Sequence, residues 1–217
     1  MSSPEAQERA KAIASTFFKT TFGVFGDVYV IFFLGIFFTV SPQLYKKGIV
    51  QLMPKKGRPK ANDTLNKLGE GLKKWLKGQL IAMLVVFVLT ATGLLIIGVP
   101  MWLALALIAG ILNFIPNFGP MIAMIPAVLV GLMQGPATAG FVAGLYILIQ
   151  VTESNFITPM VQKKMINIPP ALIIIAQLLV GSFSSGWGLV LATPLMVIIM
   201  ILVQELYVKK INKEAIT

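Results

Sequence analysis

The sequence contains no cysteine and no histidine. This excludes thiolate and imidazole metal sites, cysteine nucleophiles and serine–histidine triads, so we expect no bound metal. Without cysteine no disulfide can form, so the sequence does not distinguish an oxidising from a reducing compartment. The sequence lacks a GxxxxGK[ST] loop, which argues against pumping driven by nucleotide hydrolysis. It shows no paired carboxylates or nucleophile–base arrangement, so we expect no cofactor, no catalytic residues and no enzymatic activity.

Charged residues are few. They make up 12% of the chain, against about 25% in ordinary soluble domains, while 57% of the residues are hydrophobic. Between Leu80 and Gln162 the only side chain that is charged at neutral pH is Glu153. From these apolar runs we predict an all-α integral membrane protein with about five to seven transmembrane or re-entrant helices, helical hairpins among them, and a cytoplasmic amphipathic helix.

The positive charges are concentrated in one segment. The net charge is +10, and most lysines and arginines lie between residues 41 and 78. The positive-inside rule accounts for this more simply than nucleic-acid binding does, so we expect no nucleic-acid partner. We divide the chain into a polar N-terminal segment (1–21), a transmembrane helix (22–40), a basic cytoplasmic loop with an amphipathic helix (41–78), a helical transmembrane transport core (79–208) and a cytoplasmic tail (209–217).

The amphipathic helix is predicted from the segment DTLNKLGEGLKKWLKG. Asp63 is suited to cap its N-terminus. Apolar residues recur at spacings of three and four, which places them on one helical face with lysines on the others; they are Leu65, Leu68, Leu72 and Trp75. Two placements remain open: the helix lies on the inner leaflet, or it packs against the cytoplasmic end of the protein itself.

The segment NFIPNFGP at residues 113–120 interrupts two apolar runs, Met101–Leu112 and Met121–Met133. Each run holds about a dozen residues and covers roughly 18 Å, which is too short to cross a membrane alone. Irregular backbone at membrane depth is tolerated where it is buried in protein or lines a wet cavity, and transporters use such breaks as binding sites. We therefore assign five residues to the transport path: Asn113, Pro116, Asn117, Gly119 and Pro120. The alternative is a loop outside the membrane between two tilted short spans.

Three further apolar segments complete the core. They are Gln79–Val99, ended by Pro100; Ala137–Thr158, stopped by Pro159; and a hairpin of Ala171–Phe183 and Leu189–Leu206 around SFSSGWG. Gly140 and Gly144 form a GxxxG pair, which is typical of close packing between membrane helices.

Glu153 forms a polar stripe with Tyr146 and Gln150 on the predicted helix 137–158, and Asn155 is nearby. A carboxylate within a span is costly and usually faces a cavity or a partner. We interpret these four residues as part of the path for a solute or ion, with Glu153 binding a cation or taking up a proton. The alternative is that Glu153 lies near the inner interface and pairs with Lys163 or Lys164.

Five blocks occur in an order typical of one protein family: SPQLYKKGIVQLMP (41–54), KGQLIAMLVVFVLTATGLLIIGVP (77–100), NFIPNFGPMIAMIPAVLVGL (113–132), QVTESNFITPMVQKKMINIPP (150–170) and GLVLATPLMVII (188–199). With these blocks the chain resembles the autoinducer-2 exporter (PerM-like permease) family of bacterial and archaeal membrane proteins. The family's IPxxGP-type turn falls on Ile115, Pro116, Gly119 and Pro120. Its second pattern falls on Gln150, Glu153, Asn155 and Pro159.

The resemblance implies a multi-pass transporter in the cell (inner) membrane of a prokaryote. Members are linked to export of autoinducer-2 or to sodium or lithium–proton antiport, and they assemble as homo-oligomers, with pentamers described. Members are longer and have further spans before residue 22, so we expect a truncated form or a shortened homologue.

We therefore predict a secondary transporter of a small polar solute or cation, coupled to Na⁺ or H⁺, with the lipid bilayer as its surroundings. Lys209, Lys210 and Lys213 predict a cytoplasmic C-terminus. The alternative is a non-transporting oligomeric membrane scaffold, or an inactive fragment of such a transporter.

Overall fold

The computed structural model describes residues 23, 29, 40–157, 170–183 and 185–209. Every element in these ranges is helical, which confirms the predicted all-α class. The chain divides into two compact units, residues 1–62 and residues 63–217. Several predicted features lie outside the described residues: the segment 1–21, most of the span 22–40, the stop at Pro159, Lys163 and Lys164, and the tail beyond Lys209.

The described residues form seven α-helices in chain order. They are α1 (Pro42–Gln51), α2 (Arg58–Ile97), α3 (Trp102–Leu112), α4 (Phe118–Gln134), α5 (Pro136–Thr152), α6 (Pro170–Phe183) and α7 (Ser185–Leu202). A 3₁₀ turn, Lys55–Gly57, precedes α2, and π-helical segments continue α5 (Glu153–Ile157) and α7 (Val203–Val208).

In the first unit, α1 starts with Pro42 in its first turn, where a missing amide hydrogen leaves no bond unmade. The Arg58 guanidinium donates hydrogen bonds to the carbonyls of Gln51 (3.3 Å) and Met53 (3.2 Å). These bonds satisfy acceptors that the end of a helix leaves open. The helix α1 lies within the segment that we predicted as a loop with one amphipathic helix.

The helix α2 combines two predicted elements in 40 continuous residues, about 60 Å in length. It begins at Arg58 because Pro59 is compatible with a first helical turn. The prediction of Asp63 as an N-cap is therefore wrong: Asp63 lies inside the helix and forms an ion pair with Lys67 one turn later.

The end of α2 is defined by Gly98 rather than by Pro100. Gly98 has φ +79°, a conformation that favours glycine. Its amide donates to the carbonyl of Leu95, and the amide of Val99 donates to the carbonyl of Leu94. This is the Schellman pattern, and the buried side chains of Leu94 and Val99 belong to the same apolar cluster.

Among the described residues, three stretches are long and apolar enough to cross a membrane: Lys55–Ile97, Pro136–Phe156 and Gly188–Val208. The helix α3, with 11 residues, is about 16 Å long and is short, as predicted. The helix α4 has 17 residues and is about 25 Å long; it is longer than the predicted run Met121–Met133 but is still among the shorter apolar helices rather than those long enough to span, as predicted. It is longer because Phe118, Gly119 and Pro120 form its first turn, where proline is tolerated.

Two apolar clusters hold the second unit together. The first joins α2, α3, α4 and α5, and its buried members are Val86, Leu94, Val99, Leu105, Ala109, Ala123, Ala127, Val142, Tyr146 and Ile149. The second joins the first half of α2 to α6 and α7 through Trp75, Ile173, Val197 and Ile201. Leu68, Leu72 and Phe114 pack against this second cluster.

The second cluster bears on one of the two placements of the predicted amphipathic helix. Its apolar face packs on α6 and α7 of the same chain, with Trp75 9% exposed. At the same end, the Lys67 ammonium lies 2.8 Å from a carboxylate oxygen of Glu205 in the segment after α7. Asp63 and Lys209 complete this ion-pair cluster. The predicted packing of this helix against the protein itself is therefore observed, and its placement on the inner leaflet, which is compatible with that packing, stays a prediction.

Candidate functional site: a buried polar pair at the helix break

The break between α3 and α4 consists of residues 113–117. The helix α3 ends at Leu112, and Asn117 has φ +69° with ψ −50°, a backbone conformation that is uncommon for a residue other than glycine. The chain then returns so closely that a Cβ on Gly119 would lie 1.8 Å from the carbonyl oxygen of Leu112. Only glycine fits at this crossing of the two helix ends.

The break is connected to Glu153 by a hydrogen bond. The Asn113 side-chain amide donates to Glu153 Oε1 over 2.9 Å. Asn113 is fully buried and Glu153 is 7% exposed. The α-helical part of α5 ends at Thr152, and Glu153 begins a π-helical segment, a geometry that is frequent at functional sites. Two residues that sequence reasoning assigned separately thus form one site.

This site keeps two buried oxygen atoms without a hydrogen-bond partner among the described residues, Asn113 Oδ1 and Glu153 Oε2. No lysine or arginine forms an ion pair with Glu153 in the described ranges. The alternative pairing with Lys163 or Lys164 lies outside those ranges. A buried unpaired acceptor costs about 1–3 kcal/mol, and native proteins keep few of them. The arrangement therefore suits a proton or a small cation.

The rest of the predicted stripe lies on the same helix. Tyr146 is 4% exposed and its hydroxyl is unpaired among the described residues. Gln150 is half-buried, and its amide donates weakly to the Ser154 hydroxyl at 3.4 Å. The side-chain oxygen of Gln150 is buried and likewise unpaired there. Tyr146 and Gln150 thus extend the run of vacant oxygens from Glu153 along α5.

Two glutamines that sequence reasoning missed hold the break. Gln79 of α2 donates its amide to the carbonyl of Asn113 (2.7 Å), and Gln177 of α6 donates to the carbonyl of Pro116 (2.8 Å). Trp75 meets Phe114 edge to face, with ring centroids 5.7 Å apart. Gln177 is fully buried. Its position as a lone polar residue within IIIAQLLV was the available sequence signal.

Other predicted site residues lie apart from the pair. Asn155 is exposed and donates its side-chain amide to the carbonyl of Val151 on its own helix (2.8 Å). Asn117 is exposed in the break, whereas Gly119 and Pro120 are buried at the start of α4. Within the described ranges no group of three or more acidic side chains is placed to hold a metal ion.

Comparison with known proteins places the chain in a family. A family model described as "AI-2E family transporter" matches residues 5–208. The chain is 33% identical over 150 residues to "Putative transport protein YueF" of Bacillus subtilis, covering 69% of this chain and 41% of that protein. It is 29% identical over 162 residues to "Putative transport protein YrrI" of the same organism, covering 75% of this chain and 46% of that protein.

A third relative is "Putative permease PerM" of Escherichia coli, which is 26% identical over 168 residues, covering 76% of this chain and 48% of that protein. The chain spans about half the length of these curated relatives. No solved structure matches it. Because the family model matches nearly the whole chain and the helices are apolar and long enough to span, the chain is a multi-pass membrane protein that belongs to the AI-2E transporter family.

Proposed function

We propose that the protein is a secondary transporter of a small polar solute, such as autoinducer-2, or of a cation, coupled to a Na⁺ or H⁺ gradient. In this proposal Asn113 and Glu153 form the coupling site, and Tyr146 and Gln150 extend the path along α5. The protein would lie in the inner membrane of a prokaryote with its C-terminus in the cytoplasm, as the basic tail predicts. We expect antiport, because the single buried carboxylate of Glu153 would bind Na⁺ and H⁺ alternately.

The bond between Asn113 and Glu153 carries this proposal. A buried carboxylate without a cationic partner is unfavourable, and a proton on Oε2 or a cation shared with Asn113 Oδ1 removes that charge. Because Asn113 belongs to the break, occupancy of Glu153 acts directly on the irregular backbone. Transporters place their ion and substrate sites at such broken helices.

The proposal predicts that Glu153→Gln abolishes ion-coupled flux. Glutamine keeps the size of the side chain and a hydrogen-bond acceptor for Asn113 but carries no charge to neutralise. We would impose a sodium gradient on proteoliposomes, follow internal pH with a trapped dye, and measure autoinducer-2 efflux in parallel. The expected result is sodium-driven pH change in the unsubstituted protein and none above background in Glu153→Gln.

A matched control is Glu70→Gln, which removes an exposed carboxylate from α2. We expect its flux to equal that of the unsubstituted protein. Folded, reconstituted protein without any flux would contradict the proposal for this chain and support the alternative, a non-transporting membrane scaffold or an inactive fragment of a transporter. Equal flux in both glutamine variants would remove Glu153 from the mechanism.

We also propose a homo-oligomer, a pentamer by family resemblance, with α5 at its interface. Gly140 and Gly144 are exposed, and a Cβ on either would meet no described atom within 4 Å. By contrast, a Cβ on Gly131 would come within 3.2 Å of α5. Glycines four apart on an open face allow a second helix to approach closely.

If α5 packs against a second copy, Gly144→Leu should reduce the oligomer to smaller species in native mass spectrometry from mild detergent. Gly69→Leu is the control, because Gly69 also has open space around it but lies on α2. Unchanged masses for Gly144→Leu would exclude this face from the interface.

A further inference from the structure

The helix α1 presents an apolar face that is largely exposed in the part of the chain that the structure describes. Residues four apart lie on the same side of a helix, and two adjacent rows with this spacing form the face. The residues of the face are Leu44, Tyr45, Gly48, Ile49 and Leu52. Leu44 is 68% exposed, Ile49 46% and Leu52 84%, and α1 has no buried residue. This face is unlike that of the first half of α2, which packs on α6 and α7.

The same segment carries a dense positive charge. Residues 41–62 contain five lysines and one arginine and no acidic residue. Lys47 lies on α1 beside the apolar face, where it lines the same surface pocket as Leu44 and Gly48, and Lys55 and Lys56 follow in the 3₁₀ turn; all three are exposed. Arg58 ties this turn to the end of α1 through the carbonyls of Gln51 and Met53. The lysines of the turn therefore stay close to the end of the helix.

We propose that α1 docks on an anionic phospholipid leaflet, with Leu44, Ile49 and Leu52 among the acyl chains and Lys47, Lys55 and Lys56 at the phosphate level. A helix with one apolar and one basic face binds in the plane of the interface. The span predicted from the sequence ends at residue 40, two residues before α1, and on that prediction we expect α1 to begin at the membrane boundary. This inference rests on the membrane placement and is independent of transport.

Charge complementarity selects this occupant over others. Two copies of the chain facing each other through α1 would bring two segments of like charge together, which is unfavourable. Nucleic acid would neutralise the lysines but leave the apolar face in water. Near an anionic surface, each lysine contributes about a fivefold gain in affinity, so the three exposed lysines together contribute about a hundredfold.

The absence of cysteine allows a clean test. Gly48→Cys introduces a single thiol at the centre of the apolar face, where a Cβ meets nothing within 4 Å. We would attach a polarity-sensitive fluorophore and place the full chain in nanodiscs of phosphatidylcholine alone or in an equimolar mixture with phosphatidylglycerol. The expected result is a blue-shifted emission that depends on phosphatidylglycerol and is lost in Lys47→Glu/Lys55→Glu/Lys56→Glu.

The matched control is Lys73→Glu/Lys74→Glu/Lys77→Glu, which reverses three exposed lysines on α2. It should keep the blue shift. Raising the salt concentration on the labelled but otherwise unsubstituted protein should remove the shift as well, which tests the charge dependence without relying on the folding of any variant. Equal emission in the two lipid compositions, or self-quenching between labels that indicates paired copies, would overturn the proposal.

Discussion

Replacing Gly119 with alanine is expected to lower the free energy of unfolding by about 3 kcal/mol or more. The added methyl group would lie 1.8 Å from the Leu112 carbonyl oxygen, and the nearest atoms are backbone rather than flexible side-chain ends. Relief requires the ends of α3 and α4 to separate, which would disturb the position of Asn113. We would measure thermal unfolding in detergent micelles by circular dichroism and tryptophan fluorescence.

Gly69→Ala is the control for Gly119→Ala. Gly69 lies in α2 with open space around its Cα, so alanine should be neutral or stabilise by up to about 1 kcal/mol through helix propensity. If both substitutions had the same small effect, the close crossing of α3 and α4 would not exist in the folded protein.

The second large effect is expected at the Asn113–Glu153 pair. Asn113→Leu should destabilise the protein by about 3 kcal/mol, because it leaves a buried carboxylate without its donor. Glu153→Met in the same protein should restore much of that loss, since removing both partners leaves no uncompensated charge. We would measure unfolding of the unsubstituted protein, both single variants and the double variant.

The expected coupling free energy from this cycle is about 1–3 kcal/mol. Asn155→Leu provides the comparison, because Asn155 is exposed and bonds only within its own helix. Its cost should stay within about 0.5 kcal/mol. Additive effects of Asn113→Leu and Glu153→Met would mean that the two side chains do not interact.

The helices were predictable because hydropathy and helix-ending residues are local signals. The apolar run after residue 79 and the break after Leu112 follow from composition and from two prolines. The helix boundaries were predicted less accurately at prolines, because proline can either end a helix or lie in its first turn. Pro59 and Pro120 lie in first helical turns, where they break no hydrogen bond, so α2 starts earlier than Asp63 and α4 starts before Met121.

The contacts of the site were not predictable in the same way. Asn113 and Glu153 were each identified, one from the break and one as a carboxylate in an apolar span. Their pairing depends on how α3 and α5 are rotated against each other, and a single sequence contains no direct information on this. The same limit hid the partners of Gln79 and Gln177, because these partners are backbone carbonyls and leave no sequence pattern.

The break between α3 and α4 acts as a junction of the second unit. Its five residues are held from α2 by Gln79, from α6 by Gln177 and from the end of α5 by Glu153. Any displacement of this segment must therefore either break one of these three hydrogen bonds, which side-chain amides donate, or move a neighbouring helix with it. An event at Glu153 can thus reach α2 and α6 in a single step, without a relay through the apolar clusters.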